Sequence, residues 1–355
     1  MIKYLGSKRI LIPAIEMVLA ELPDCHSILD LFSGTSRVGK ALKATGWQVT
    51  LNDWNHYART LAIAHVVFDR DRIGDAVEVL DHLRSSAPID GWFTETYCRQ
   101  SRYFTPENGV LIEGIREEIE KLDLDDELKC VALTSLMEAA DRVDSTVGVQ
   151  MAYLKKWAAR ALQPLKLRDP EPLPRSRHGK AEAHRLEARE AASCLKADVA
   201  YLDPPYNQHK YLGNYHVWET LVRWDQPEVY GVACKRIECR ERRSDFNSKR
   251  GIQQAMRELV DTLDCRYLLV SFNNEGYLDR NEMEQLLSKR GRVTVLSKIH
   301  PRYVGAKIGI HNPQGRKVGQ VSHLKNTEYL FLVGDIEIED AVIESAQLTR
   351  EMPVL

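Results

Sequence analysis

The sequence predicts an α/β protein, with a doubly wound, Rossmann-like and mainly parallel sheet that carries a helical insertion. Residues 27–53 follow the order strand, glycine turn, helix and strand, and the second strand ends at Asp53. This order is the nucleotide-binding half of such a sheet. Between positions 69 and 165 apolar residues recur at helical spacing instead. Strand-like runs return at 199–202 and 267–273, so we expect the helices to interrupt the sheet.

The domain boundaries follow these changes of pattern. We assign residues 1–68 and 181–335 to the sheet domain and residues 69–180 to a mainly helical insertion with a proline-rich link. Residues 336–355 form an acidic tail. Elsewhere we predict helices from the apolar stripes at 15–22, 110–122, 128–136 and 191–196, and final strands at 292–303 and 324–333.

Composition narrows the setting of the protein. The seven cysteines form no C-x-x-C pair, so we expect reduced thiols and no metal site. No apolar run approaches the roughly 18 residues of a membrane span, and the first residues have no signal-peptide pattern. We therefore expect a cytoplasmic protein without membrane contact, and a monomer.

Basic residues are concentrated in a few stretches, although the formal net charge is only −2. Residues 235–250 hold seven Lys or Arg against three acids, and residues 298–325 hold six and no acid. Such patches indicate a surface for a polyanion, while a solvated surface is the alternative. The stretch 145–157 suits phosphate contacts, but taken alone it favours the start of a helix. The candidate nucleic-acid contacts are Lys155, Lys156, Arg177, Lys210, Lys235, Arg236, Arg242, Arg243, Lys307, Arg316 and Lys317.

The apolar run 199–202 ends in the sequence D-P-P-Y, Asp203 to Tyr206. Residues before proline are driven into extended geometry, and proline has no N–H. The turn therefore presents two acceptors, the Asp203 carboxylate and the Pro204 carbonyl, beside the Tyr206 ring. This set fits an aromatic primary amine, whose hydrogens the acceptors take while the ring stacks on the base. The alternative is an ordinary proline turn.

The glycine turn after the first strand reads D-L-F-S-G-T-S, from Asp30 to Ser36. A dehydrogenase would have G-x-G-x-x-G here, and Asp30 would repel a diphosphate. An acid at this position suits a cation instead, such as the amino group or sulfonium of S-adenosylmethionine. Gly34 allows the backbone to approach the ligand closely, and Asp53 is placed to take ribose hydroxyls.

These motifs occur in the order K-Y-L-G-S-K (residues 3–8), D-L-F-S-G-T-S, a long insert, and D-P-P-Y. In this order the chain resembles the Dam-type, alpha-group adenine-specific DNA methyltransferases over most of residues 1–335. The resemblance implies an S-adenosylmethionine-dependent methyltransferase sheet whose helical insertion recognises DNA. One departure is Ser36, which stands where many relatives have glycine.

The resemblance also implies residue roles. Tyr4 and Lys8 would help to hold S-adenosyl-L-methionine, and Asp30, Phe32 and Gly34 would surround its methionine part. Asp53 would take the ribose and Glu190 would lie near the cofactor adenine. Catalysis would fall to Asp203, Pro204 and Tyr206, which hold the target adenine of double-stranded DNA. A cognate restriction endonuclease is a further partner that the resemblance suggests.

Other functions share part of this pattern. D-P-P-Y also occurs in enzymes that methylate the guanine amino group of ribosomal RNA, and a close variant serves cytosine amines. The compact RNA enzymes generally lack both K-Y-L-G-S-K and the long insert, which favours adenine in DNA. A non-catalytic DNA-binding relative is the remaining alternative, and the intact acidic residues argue against it.

Overall fold

An eight-stranded sheet forms the centre of the protein in the computed structural model, which describes residues 1–6, 8–301, 310–311, 317–319 and 325–352. Its strand order is β12-β8-β11-β7-β4-β1-β2-β3, and two short ribbons pair β5 with β6 and β9 with β10. The strands are β1 (Ser27–Asp30), β2 (Gln48–Asn52), β3 (Glu182–His184), β4 (Val199–Leu202), β5 (Val229–Tyr230), β6 (Lys235–Arg236), β7 (Tyr267–Asn273), β8 (Val293–Pro301), β9 (Ile310–His311), β10 (Lys317–Gly319), β11 (Lys325–Val333) and β12 (Thr349–Arg350).

Helices cover both faces of this sheet and form a separate lobe. Two π-helical turns continue α3 and α5, at Ile63–Val67 and Glu95–Gln100. The helices are α1 (Ile12–Ala20), α2 (Arg37–Ala44), α3 (His56–Ala62), α4 (Ile73–Leu83), α5 (Trp92–Thr94), α6 (Pro106–Lys121), α7 (Asp126–Arg142), α8 (Ala188–Cys194), α9 (Tyr211–Asn214), α10 (His216–Arg223), α11 (Glu238–Glu241), α12 (Ile252–Thr262), α13 (Arg280–Leu287) and α14 (Asp340–Ser345).

The strand directions confirm the predicted doubly wound fold. Strands β3, β2, β1, β4 and β7 are parallel, and β11 runs antiparallel between β7 and β8. The strand order reverses at β1, because β2 lies on one side of it and β4 on the other. Ligands of such sheets bind at the carboxyl ends of the strands at this reversal. The turns that follow β1 and β4 therefore lie at the position where a ligand is expected.

Alternate residues of one strand show why the sheet is covered twice. Ile28 of β1 packs in a core with α1 and α2, whereas its neighbour Leu29 packs on the other face with α8 and α12. Successive side chains of a strand point to opposite faces, so a strand that is apolar at every position needs a cover on both. All seven residues of β7 are buried, as this arrangement requires.

A second core belongs to the helical lobe. Tyr57 of α3, Ile112 of α6 and Leu136 of α7 share it with Val217 and Trp218 of α10. Helix α10 lies between β4 and β7 in the chain, so the lobe is built from two segments. The assigned insertion, residues 69–180, therefore omits α3 and α10, which complete this core. The sequence, read as a polar and aromatic loop from 207 to 218, did not predict α10.

Most local predictions agree with the structure. The stripe at 15–22 lies on α1 except for Leu22, which follows the end of the helix. The two faces of the insertion lie on α6 and α7, and the final strands are β8 and β11. The short helix predicted at 191–196 is α8 and begins earlier, at Ala188. Among the described residues, no helix is both long and apolar enough to span a membrane.

The stretch 145–157 is an irregular loop rather than a helix start. The Gln150 carbonyl accepts a hydrogen bond from the Tyr103 hydroxyl at 2.7 Å, and the Gln150 side chain accepts one from the Val217 amide at 2.9 Å. Gly148 has a φ of +97°, which glycine adopts without strain. These side-chain anchors replace the hydrogen bonds that a helix would have made, and they fix the loop on the lobe.

Candidate active site

An open cavity lies at the carboxyl ends of β1, β2 and β4, and its space, counted together with the solvent at its mouth, is about 1150 Å³. It includes most of the predicted cofactor residues, together with the first residue of D-P-P-Y. The predicted cofactor and catalytic residues that line it are Tyr4, Lys8, Asp30, Phe32, Gly34, Asp53 and Asp203. Segments far apart in the chain thus meet at one site, because the parallel strands end at the same edge of the sheet.

The backbone of the glycine turn lies close to the Tyr4 ring, with no room for a side chain at Gly34. Gly34 has a φ of +50°, and a Cβ atom at this position would lie 3.2 Å from the ring of Tyr4. Its amide donates a hydrogen bond to Asp53 Oδ2 at 3.1 Å, which ties the turn to the end of β2. Ser36 also adopts a left-handed conformation, with φ +58°. This conformation favours glycine, and it gives the physical reason why relatives can carry glycine at that position.

Asp30 is a buried acid without a full set of partners. Its side chain is at the end of β1, the residue is 1 % exposed, and Oδ1 has no hydrogen-bond partner among the described residues. Burial, together with the negative charges of Asp203 and Asp53, raises the pKa of Asp30 to about 8. A buried acceptor of this kind is costly unless a ligand pairs with it. The ammonium group of an amino acid fits this requirement.

Arg37 is a cavity residue that sequence reasoning missed. It begins α2 and lines the cavity, and its Nε atom is buried without a partner among the residues described. Burial and the nearby Arg9 lower the pKa of Arg37. A cation at the first position of a helix is unfavourable, since the helix dipole is positive there. This mismatch was a usable signal, and it indicates an anionic ligand such as a carboxylate.

Arg242 lines the cavity beside the turn that follows β2. Its guanidinium lies 3.7 Å from the centre of the Trp54 ring and donates a hydrogen bond to the Trp54 carbonyl at 2.8 Å. A second bond reaches Asn55 Oδ1 at 3.2 Å, and Asn55 in turn donates to Asp53. Arg242 therefore braces the turn after β2, although the sequence made it a candidate contact for nucleic acid.

The D-P-P-Y corner carries a buried ion pair. Lys8 Nζ lies 3.2 Å from Asp203 Oδ1 and 3.1 Å from Glu328 Oε2 of β11. Burial raises the pKa of Asp203 to about 6, because the Lys8 ammonium offsets only part of the cost of desolvation and Glu328 adds negative charge. The Asp203 carboxylate is thus ionised above about pH 6, where it acts as a hydrogen-bond acceptor.

The Tyr206 ring is held from two sides. Asn273 donates a hydrogen bond to its hydroxyl at 2.7 Å, and the Phe272 ring lies 4.8 Å from it between centroids. Pro204 is buried between Asp203 and Pro205, which both line the cavity. Of the three predicted catalytic residues, Asp203 therefore lines the cavity, whereas Pro204 and Tyr206 lie next to lining residues and do not line it themselves.

Glu190 does not line the cavity. It lies exposed in the first turn of α8, whereas Glu187 and Ala188 do line the cavity. Glu190 was assigned by the resemblance, and the predicted start of α8 at 191 is three residues later than the observed start at Ala188. Glu187 is the N-cap of α8 and accepts the Arg189 amide at 2.8 Å.

Comparison with known proteins identifies the chain. A family model, described as D12 class N6 adenine-specific DNA methyltransferase, matches residues 4–286. The chain belongs to this family. It is 28 % identical over 340 residues to the Type II methyltransferase M.NlaIII of Neisseria lactamica, which covers 90 % of this chain and 98 % of M.NlaIII.

Two further relatives carry similar names. The Type II methyltransferase M.CviAII of Paramecium bursaria Chlorella virus 1 is 29 % identical over 94 % of this chain and 98 % of its own length. The Type II methyltransferase M.FokI of Planomicrobium okeanokoites is 30 % identical over 81 % of this chain but only 47 % of its own length. The protein is thus an adenine-specific DNA methyltransferase, as the sequence predicts, and membership of the family implies that it uses S-adenosylmethionine.

Several predicted DNA contacts of the methyltransferase lie at or near the cavity. Lys210 and Arg243 line the cavity and are exposed, and Lys155 and Lys156 are exposed on the anchored loop of the lobe. This loop reaches α9 at the cavity rim, where the Gln150 amide donates to the Asn214 carbonyl at 2.7 Å. Exposed cations beside the site are suited to contacts with DNA phosphates.

Other predicted contacts lie elsewhere. Ser176, next to Arg177, donates to the carbonyl of Gly46, which precedes β2, and His178 stacks on His26, which precedes β1. Arg177 is therefore at the amino ends of the strands, opposite the cavity. Lys235 is half-buried. Lys307 and Arg316 lie outside the described residues, and of Lys317 only the backbone is described, in β10.

Arg236 is buried and paired with acidic side chains. It is 2 % exposed, and its guanidinium makes two bonds of 2.7 Å to Asp225 and one of 3.2 Å to Glu238. Positive charge within residues 235–250 is thus partly neutralised inside the protein. We leave Arg236 out of the proposed DNA contacts.

Arg236→Met is expected to lower the free energy of unfolding by about 2 kcal/mol, because it leaves two acids of a buried ion pair without this partner. The loss is smaller than for a fully buried pair, since Asp225 and Glu238 are about a third exposed and keep Arg223. Urea denaturation measures it, with the exposed Lys156→Met as a control that changes stability by less than about 0.5 kcal/mol. An unchanged stability with a shallower salt dependence of DNA binding would restore Arg236 as a phosphate contact.

Proposed function

We propose that the protein methylates one adenine within a short DNA sequence, after that base leaves the duplex and enters the D-P-P-Y corner. The observation that supports this most is the meeting of Asp30 and Asp203 in one cavity at the β1/β4 reversal. One acid is suited to the methyl donor and the other to the acceptor amine. A single cavity that takes both substrates provides the proximity that group transfer requires.

In this proposal the residues at the carboxyl ends of β1 and β2 would hold the cofactor. Asp30 would pair with the ammonium of S-adenosylmethionine and Arg37 with its carboxylate, which would give Asp30 Oδ1 and Arg37 Nε a partner. Gly34 would leave room for the chain of the cofactor, Asp53 would accept from the ribose, and Glu187 would take the place of Glu190 beside the adenine end. When bound, the cofactor supplies an electrophilic methyl group on a positively charged sulfur.

The corner activates the amine by accepting hydrogen bonds from it. The Asp203 carboxylate and the Pro204 carbonyl would each accept one hydrogen bond from N6, which draws the nitrogen lone pair out of the ring and toward the methyl group. The new N–C bond would form as the bond from the methyl carbon to sulfur breaks, and one N6 proton would then be lost to solvent. The Tyr206 ring stacks on the base, and its bond from Asn273 keeps it in place. These acceptors are fixed before the base arrives, so they stabilise the developing charge without reorganising.

The base must leave the double helix to reach these atoms, at a cost of a few kcal/mol. Stacking on Tyr206 offsets part of this cost. The exposed cations at the rim and on the lobe, Lys210, Arg243, Lys155 and Lys156, would hold the flanking phosphates. We expect one protein chain per site, since a single chain holds all the proposed residues.

We also propose that the protein is the modification partner of a restriction endonuclease that recognises the same sequence. Its relatives are named Type II methyltransferases and modification methylases.

Sedimentation of the purified protein with a DNA duplex tests the expected complex of one protein chain with one duplex.

The methylation itself is tested in cells that produce the protein from a plasmid. Mass spectrometry of their DNA should show N6-methyladenine, and sequencing of modified bases should place it in one short motif. Cells with the Asp203→Ala variant are the matched control. N4-methylcytosine, or methyl groups in RNA alone, would contradict the proposal.

A further inference from the structure

Three charged side chains from distant parts of the chain meet at the D-P-P-Y corner. Lys8 follows the N-terminal segment, Asp203 follows β4, and Glu328 lies on the reversed strand β11. The ammonium lies between the two acids, at 3.2 Å and 3.1 Å. Lys8 and Glu328 are each 7 % exposed, and the Asp203 side chain is half-buried at the cavity, so one cation and two anions meet where little solvent reaches them.

The same group also holds the aromatic ring. Asn273 donates to Glu328 Oε1 at 3.3 Å and to the Tyr206 hydroxyl at 2.7 Å. Lys8 Nζ lies 5.6 Å from the centre of the Tyr206 ring. Glu328 is therefore connected to both proposed contacts of the base, to Asp203 through Lys8 and to Tyr206 through Asn273.

The position of Lys8 creates a competition. A base that stacks on Tyr206 and donates its amino hydrogen to Asp203 needs the carboxylate that Lys8 now contacts. If Lys8 kept that contact, the acceptor would be weakened and the face of the ring partly covered. Removing a buried ammonium from one carboxylate is costly unless another anion keeps it paired. Glu328 is already within 3.1 Å and can do so without a large movement of Lys8.

Resting on the function proposed above, we infer that Glu328 is a positioning residue that retains the Lys8 ammonium when the target base takes its place at Asp203. Glu328 does not touch the base in this arrangement. It acts through Lys8 and, by way of Asn273, on the orientation of the Tyr206 ring. Lys8 in turn keeps Asp203 ionised until the base arrives.

The charges around Asp203 predict a pH signature. The groups that face it are Lys8 and Glu328, the phenols Tyr201, Tyr206 and Tyr211, and the acid Asp30. Burial and Glu328 raise the pKa of Asp203, and Lys8 lowers it. Removing the negative charge of Glu328 therefore lowers the pKa of Asp203, whereas removing Lys8 raises it.

The experiment uses Glu328→Gln, which keeps the shape of the side chain and removes its charge. We expect kcat to fall about tenfold or more while the Kd for S-adenosylmethionine stays within about twofold. The acid limb of the rate profile should move to lower pH in Glu328→Gln and to higher pH in Lys8→Met. A merely structural role would reduce activity at every pH without moving this limb.

Two further variants sharpen the test. Glu113→Gln makes the same change at a buried glutamate outside the corner. Its carboxylate accepts hydrogen bonds from backbone amides within residues 91–94. This variant should leave the pH profile unchanged. In the double variant Lys8→Met/Glu328→Gln the competing ammonium is gone. Its kcat should therefore be no lower than that of Glu328→Gln alone.

A wild-type kcat and an unmoved acid limb in Glu328→Gln would overturn the inference. So would a double variant whose loss equals the product of the two single losses, because the residues would then act independently. Asp203→Ala distinguishes a failure of this inference from a failure of the proposed function. If Asp203→Ala is inactive and Glu328→Gln is normal, only this inference fails, whereas an active Asp203→Ala would refute the proposed function.

Discussion

Asp203→Ala is expected to reduce kcat for methyl transfer to DNA by about 10²- to 10³-fold, the usual effect of removing one preorganised electrostatic contact. The substitution removes the acceptor proposed for the N6 amine, so the nitrogen lone pair stays delocalised in the ring. It also leaves Lys8 with Glu328 as its remaining acid in the corner. Single-turnover transfer of a labelled methyl group measures the effect independently of product release.

Binding of S-adenosylmethionine serves as the control for this variant. Asp203 is proposed to contact the base, so the Kd for the cofactor should stay within about twofold of the wild-type value, and the melting temperature should show a folded protein. Near wild-type transfer by Asp203→Ala would contradict the proposed role. A wild-type protein that binds the cofactor and DNA but never transfers a methyl group would instead favour a non-catalytic relative.

Asp30→Asn is expected to weaken S-adenosylmethionine about 10- to 100-fold, because it removes the charged partner of the ligand ammonium. It should also abolish a pH dependence that the wild type shows. The pKa of Asp30 is about 8 in the free protein, so the group is mainly protonated at pH 6.5 and must ionise when the cation binds. The Kd of the wild type should therefore fall between pH 6.5 and 7.5, by at most about tenfold. The ligand amine stays protonated below its own pKa of roughly 8.

Calorimetry in two buffers of different ionisation enthalpy measures both the Kd and the proton released on binding. Arg37→Gln is the matched control, since it removes a proposed contact with the carboxylate of the same ligand. It should weaken binding about tenfold and still retain the proton release. A wild-type Kd that is flat across this pH range would show that Asp30 does not pair with the ammonium.

The parts of the fold that local pattern determines were predictable. Residues 27–53 place a strand, a turn and a helix next to each other in the chain, and their order alone indicates a doubly wound sheet. The membership of α10 in the lobe was not predictable, because it depends on which apolar face meets which core after the chain has folded. The loop at 145–157 was missed for a related reason. Its backbone is held by distant partners, Tyr103 and Val217, rather than by neighbours in the sequence.

The site shows the same division. Asp30 and Asp203 were found because each follows a strand end, where the topology of the sheet places ligands. Glu190 was carried over from the family resemblance, whereas the structure places Glu187, the N-cap of α8, at the cavity, because the helix begins at Ala188. Arg236 was misjudged since composition counts charges but cannot show that Asp225 and Glu238 neutralise one of them inside the protein. Arg37 could have been noticed, because a cation at the first position of a helix lies next to the positive end of the helix dipole.

The ion pair between Lys8 and Glu328 joins residues 320 positions apart in the sequence. During translation the corner is therefore completed only after residue 328 has left the ribosome, however early the first strands fold. A chain that ends before residue 328 lacks β11 and Glu328, and with them the anion proposed to retain Lys8.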